Sequence, residues 1–143
     1  MNRSSVKTQG AELVLSTELT NNSTLKANVT YADVKAGEGE LLSGRSQWQG
    51  GASINWQWTD NLSTYLSVKY VGESSATSLH TGDFSMAMLS SYNKVDVSVN
   101  WRVNEAIDID FFLTNAMDKQ YDYAIGFTGP ERGLGNKVNW QLW

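Results

Sequence analysis

The chain has 143 residues, 41% of them hydrophobic and 11% aromatic, with six Trp, one Pro, no Cys and a net charge of −4. These values fit one domain, exclude a disulfide framework and a thiolate metal centre, and argue against nucleic acid as a partner. No run approaches the roughly 18 consecutive apolar residues of a transmembrane helix, which leaves open a membrane sheet whose strands alternate and carry weak hydropathy.

Met1-Asn2-Arg3-Ser4-Ser5 is polar, leads straight into a strand and carries no export signal. The chain therefore reads either as a soluble protein or as a fragment whose start lies elsewhere, with Met1 an added initiator. Ala11, Leu13, Leu15, Thr17 and Leu19 then share one parity, and Glu12, Ser16 and Glu18 the other. That is the period of a strand with one apolar and one polar face. After Asn21-Asn22, Leu25, Ala27, Val29 and Tyr31 oppose Lys26, Asn28 and Thr30. Ala52, Ile54, Trp56 and Trp58 oppose Ser53, Asn55 and Gln57; after Asp60-Asn61, Leu66, Val68 and Tyr70 oppose Ser67 and Lys69. Val95 to Val103 alternates without a break, and Ile107-Asp108-Ile109-Asp110-Phe111 resumes after Asn104-Glu105. The predicted strands are 10–19, 23–33, 47–58, 62–73, 92–103, 106–115 and 136–143.

The connections sort strictly. Those at Asn21-Asn22, Asp60-Asn61 and Asn104-Glu105 are tight, and 34–46, 74–91 and 116–135 are long. In an up-and-down antiparallel sheet this puts tight turns at one edge and long loops at the other, the asymmetry of outer-membrane barrels. The charges sort as well: Glu12, Glu18, Lys26, Lys69, Lys94, Asp96, Arg102, Asp108 and Asp110 lie on the polar parity, and the apolar parity is expected to carry none. A charge facing lipid near the midplane costs about 2–4 kcal/mol, which gives the sorting a cause. Tyr31 and Tyr70 toward the long-loop edge, with Trp58 and Trp101 toward the tight-turn edge, form a candidate aromatic girdle. The fold class is thus all-β: an antiparallel up-and-down meander of about seven strands, part of a transmembrane β-barrel.

No catalytic, cofactor-binding or metal-binding residue is assigned. The single His80 sits in a Ser/Thr/Gly-rich loop, Asp108 and Asp110 read as lumen-facing charges, and Gly37–Gly39 and Gly133–Gly135 lack the Lys-Ser/Thr of a phosphate loop. Asp33, Glu38 and Glu40 could favour a cation, but the favoured reading is solvated loop acids; Trp48, Tyr92, Tyr121 and Tyr123 read either as girdle or as a grip on a ligand from outside.

Asn115-Ala116-Met117-Asp118-Lys119-Gln120-Tyr121 resembles the N-L-F-D-K-x-Y element of TonB-dependent outer-membrane receptors, with Met117 in place of Phe. Gly129-Pro130-Glu131-Arg132 is similar to the P-G-R element that follows it, with Glu131 inserted. Thr8-Gln9-Gly10-Ala11-Glu12-Leu13 is similar to the T-K-G-x-E-x strand start of that family, and Leu42-Ser43-Gly44-Arg45 leading into Gly51–Trp56 to its L-x-G-R segment. The elements occur in family order. The resemblance implies a barrel of about 22 strands occluded by an N-terminal plug. It implies import of a scarce ligand, such as an iron–siderophore complex or cobalamin, with energy from TonB reaching the plug. It implies the outer membrane of a Gram-negative bacterium; the lack of a catalytic constellation leads to the expectation of no enzymatic activity and no bound cofactor. Residues 1–143 would be the C-terminal segment of the barrel, with the plug and earlier strands absent. The implied partners are outer-membrane lipid, TonB through the plug, the barrel-assembly machinery through the C-terminal strand, and a small ligand. Val138, Trp140 and Leu142 share the outward parity, which puts Trp143 on the other face unless a bulge or a longer natural chain restores the phase. The alternatives are a self-closing barrel of about eight strands with an adhesin-like or structural role, and a soluble β-sandwich binding module.

Overall fold

The computed structural model describes residues 6–36, 40–41, 44–77 and 86–141. His80, Gly37–Gly39, Glu38 and Trp143 lie outside them. The strands are β1 (Val6–Thr20), β2 (Ser23–Ala36), β3 (Glu40–Leu41), β4 (Trp48–Thr59), β5 (Leu62–Val71), β6 (Ser74–Thr77), β7 (Met86–Leu89), β8 (Tyr92–Asn104), β9 (Ile107–Thr114), β10 (Asp122–Ala124), β11 (Phe127–Thr128) and β12 (Gly133–Trp140). One sheet runs in the order β1-β2-β4-β5-β8-β9-β12, each neighbour antiparallel, with β3 as a short addition to β2. The pairs β6–β7 and β10–β11 are separate hairpins rising from the long connections.

Sequence neighbours are spatial neighbours throughout the main sheet, as the alternation predicts. Tight turns join β1 to β2, β4 to β5 and β8 to β9 at one edge; the long connections all lie at the other. Each tight turn follows a register shift in its incoming strand, at Glu18/Thr20, Gln57/Thr59 and Arg102/Asn104. Such bulges increase local twist and help the strand turn back. Side chains then satisfy the turn backbone: the Asn22 amide donates to Thr20 Oγ1 at 3.2 Å, and the Ala106 amide to Asn104 Oδ1 at 2.9 Å.

Several boundaries differ from the sequence reading: the first strand begins at Val6 rather than at 10, and two further shifts have physical reasons. The last strand starts at Gly133 rather than at 136, because Gly133 and Gly135 have no side chain to display alternation. The second strand continues to Ala36 rather than ending at 33, paired with the start of β1 through Val6↔Ala36. That extension also corrects the charge sorting. Asp33 lies on the apolar parity, two residues beyond Tyr31, and faces the same side as Lys35, whose Nζ lies 2.8 Å from Asp33 Oδ2. Both stand beyond the aromatic ring of Tyr31, where a charge no longer meets hydrocarbon.

The sheet has no core. Among the described residues only Val34 and Ala76 are buried hydrophobics, while Leu13 is 68% exposed and Val138 58%. Among the described residues no second sheet covers the apolar face of the main one, which overturns the β-sandwich alternative. β1 and β12 stand at opposite ends of the strand order and do not pair with each other, so the self-closing barrel is overturned too. With seven strands in alternation these end strands run in the same direction.

Candidate functional site

Cross-strand register identifies the two faces. Val97 lies opposite Leu66 and Leu113; Val99 opposite Thr64 and Phe111; Trp101 opposite Leu62 and Ile109. The row continues through Ile54, Leu25 and Thr17 on one side and through Leu134, Val138 and Trp140 on the other. These residues are the outward set. Asp96, Ser98, Asn100 and Arg102 lie opposite Ser67, Tyr65, Ser63 and Asp108 among others, and form the opposite, lumen face. A single strand therefore meets two media, because successive side chains point to opposite sides.

Rings mark both rims of the outward face. At the tight-turn rim Trp56 and Trp58 stack with centroids 5.1 Å apart, and Trp58 Nε1 donates to Thr64 Oγ1 at 2.9 Å. Trp101 and Trp140 continue the row next to Ile109 and Ile107. At the long-loop rim Tyr31 packs on Trp48 with centroids 4.9 Å apart, and Tyr70 stands opposite Gly50. Trp48 therefore belongs to the girdle. From Trp48 to Trp56 the strand advances about 26 Å at ~3.3 Å per residue, the scale of the ~25 Å apolar band of a transmembrane barrel. Between the rims the outward positions carry no Asp, Glu, Lys or Arg among the described residues.

The lumen face is a polar lattice. Asn100 Nδ2 donates to Asp110 Oδ1 at 2.7 Å, Arg102 Nε to Asp108 Oδ1 at 3.4 Å, and Lys94 Nζ lies 3.1 Å from Asp96 Oδ2. Asp108 and Asp110 are therefore partners in this lattice. Besides Tyr92 at the long-loop end, two rings break the polar pattern, and parity arguments did not single them out. Tyr65 and Phe112 both flank Ser98 on this face, and both are substantially exposed. The Phe112 ring lies over Gly135, where a methyl group would overlap it. Phe112 follows Phe111, and two adjacent rings on a strand must face opposite ways; that adjacency was the available signal.

The long-loop edge holds a clasp of hydrogen bonds around Asn115 and Asp118. Asn115 is 1% exposed and adopts φ 48°, and Asp118 adopts φ 50°, a left-handed conformation that Asn and Asp tolerate. Asn115 Nδ2 donates to the Lys119 and Pro130 carbonyls at 3.0 and 3.1 Å, and its Oδ1 accepts from the Lys119 amide at 3.0 Å. Its own amide donates to Asp96 Oδ1 at 2.8 Å, and the Ala116 amide to the Val95 carbonyl at 2.8 Å. Asp118 Oδ1 accepts from the Arg132 amide at 3.0 Å, and its Oδ2 lies 3.8 Å from the Arg132 guanidinium. Tyr121 stacks on Tyr92 with centroids 4.1 Å apart and also covers Gly129, where a methyl group would overlap its ring. Tyr92 and Tyr121 are thus joined to each other inside this clasp, and Tyr123 packs against Phe127 across its own hairpin at 6.2 Å. Among the described residues no group of three or more His, Cys, Asp or Glu could hold a metal ion.

A sheet with an uncovered apolar face, a polar reverse and rings at both rims is the wall of an outer-membrane β-barrel. The comparisons with known proteins agree. A family model described as TonB dependent receptor-like, beta-barrel, matches residues 1–116. The chain belongs to this family of TonB-dependent receptors, and its place is the outer membrane of a Gram-negative bacterium. It is 26% identical over 131 residues to the iron-regulated outer membrane virulence protein of Vibrio cholerae serotype O1, covering 87% of this chain and 20% of that protein. It is 25% identical over 117 residues to the vitamin B12 transporter BtuB of the same species, covering 80% of this chain and 19% of the transporter. The fold matches the ferripyoverdine receptor of the outer membrane of Pseudomonas aeruginosa with a TM-score of 0.81 at 21% identity, over 94% of this chain and 19% of that one. The chain thus spans about a fifth of the length of the relatives it matches.

Proposed function

We propose that residues 1–143 form the C-terminal strands of a longer TonB-dependent transporter that imports a scarce ligand, an iron–siderophore complex or cobalamin. The observation that supports this reading most is the pair of end strands. β1 and β12 each have one main-sheet neighbour, and the sheet between them presents its apolar side uncovered. Unpaired N–H and C=O groups in hydrocarbon cost several kcal/mol each, so such a sheet is built to be completed by further strands. The relatives, an iron-regulated outer membrane protein and a vitamin B12 transporter, support the ligand classes. In this reading lipid covers the outward face and the rest of the receptor supplies the other strands and a plug that engages TonB. The barrel-assembly machinery takes up the C-terminal strand. The chain contributes wall and loop, with no catalytic role and no bound cofactor.

The test is to express residues 1–143 alone, measure their size with and without detergent, and assay ligand uptake in cells lacking the complete receptor. The expected result is a detergent-dependent species with no uptake. A monomer that stays soluble and folded in plain buffer, or any energy-dependent uptake by this chain alone, would overturn the proposal.

A further inference from the structure

The strand β12 is nearly degenerate in its own register. In the observed pairing Gly135 faces Phe112, Lys137 faces Asp110 and Val138 faces Ile109. Sliding β12 by two residues keeps every side chain on its present face, because the side-chain period is two. It would put Gly133 under Phe112 in place of Gly135, Lys137 opposite Asp108 in place of Asp110, and Val138 opposite Ile107. A glycine still receives the ring and an aspartate still receives the lysine. Outward, Leu134 would exchange Leu113 for Phe111. Within the strand the turn end objects, where Trp140 would lose Ile107 and Asn139 would lose its 3.5 Å bond to Asp110 Oδ2.

The remaining discriminating contacts lie outside the strand. Arg132, the residue before β12, is held to Asp118 through its amide and its guanidinium. Pro130, two residues earlier, is held by buried Asn115, whose amide is in turn tied to Asp96 on β8. Gly133 is the first residue these anchors deliver to the ladder, and it arrives opposite Thr114, whose Oγ1 donates to the Gly133 carbonyl at 3.4 Å. We infer that the Asn115–Asp118 clasp is a register-setting device: it selects which of two near-equivalent pairings β12 makes with β9. This goes beyond any transport role, since it concerns the pairing of two strands whatever the barrel carries.

The chain has no Cys, so introduced pairs report cleanly. Leu113→Cys with Leu134→Cys reports the observed register; Phe111→Cys with Leu134→Cys reports the slipped one. Both pairs are made in the full 143-residue chain folded in detergent, with and without Asn115→Ala plus Asp118→Ala. Disulfide yield is scored only in the protease-resistant fraction, so failure to fold does not enter the ratio. With the clasp intact, the Leu113 pair should cross-link and the Phe111 pair should not. With the clasp removed, the slipped-to-observed ratio should rise about tenfold or more, the scale set by losing a few hydrogen bonds. Retention of the observed register alone would overturn the inference, because β12 would then choose for itself. Loss of both cross-links from the resistant fraction would overturn it too, because the clasp would then hold the strand in place without choosing its register.

Discussion

The outward and lumen faces of this sheet share every backbone hydrogen bond and differ only in what their side chains meet. Outward, Leu13, Val29, Leu66, Phe111 and Val138 stand exposed with no protein over them. On the lumen side, Asn100, Arg102, Asp108 and Asp110 are bonded to one another across β8 and β9. In a water-soluble sheet the apolar face is the buried one. Here it is bare and the polar face is internally bonded, so the two media are lipid and water. The difference teaches that exposure in an isolated protein can mark the face its natural solvent is meant to cover.

The sharpest way to break this comparison is a charge placed at neighbouring positions of β8. Val97→Arg, opposite Leu66 and Leu113, should destabilise insertion by about 2–4 kcal/mol. Ser98→Arg opens on the water side and should change it by less than ~1 kcal/mol. Insertion into lipid vesicles, read by protease protection, separates the two; equal insertion would place both faces in the same medium.

Next in size is the clasp, which belongs to neither face. Asn115→Ala would strand the Pro130 and Lys119 carbonyls and the Lys119 amide, now all bonded to the Asn115 side chain. A loss of about 2–3 kcal/mol is expected, measured as a shift in the urea midpoint in lipid. An unshifted midpoint would mean that water serves these groups equally well. Smaller again is the girdle. Trp56→Ala removes the stack on Trp58 and should cost about 1 kcal/mol beyond its area. The same assay should show a lesser effect for Phe112→Ala, because that ring already faces water. The smallest effect belongs to Arg102→Ala. Its contact with Asp108 spans 3.4 Å between exposed side chains, worth under ~1 kcal/mol and fading as salt is added. A large, salt-independent loss would make the lumen lattice a structural element in its own right.

Alternation by itself determined which residues share a face, because a strand turns each side chain by half a revolution. Val95 to Trp101 and Ile107 to Phe111 needed nothing more. Loop lengths by themselves determined which edge carries the turns, because antiparallel neighbours reverse direction at each connection. The sequence also placed Tyr31, Tyr70, Trp58 and Trp101 at the rims. What only the tertiary structure decided are contacts between residues far apart in the chain. The burial of Asn115 depends on Asp96, Lys119 and Pro130 converging on one amide. The Tyr92–Tyr121 stack depends on the last loop folding back over the start of β8. The start of β12 at Gly133 depends on Asp118 holding Arg132, since glycines leave no alternation to read. The position of Asp33 beyond the Tyr31–Trp48 rim depends on β1 reaching back to pair with the end of β2. A period of two reports the direction in which a side chain points. It carries no record of which distant group will be there to meet it.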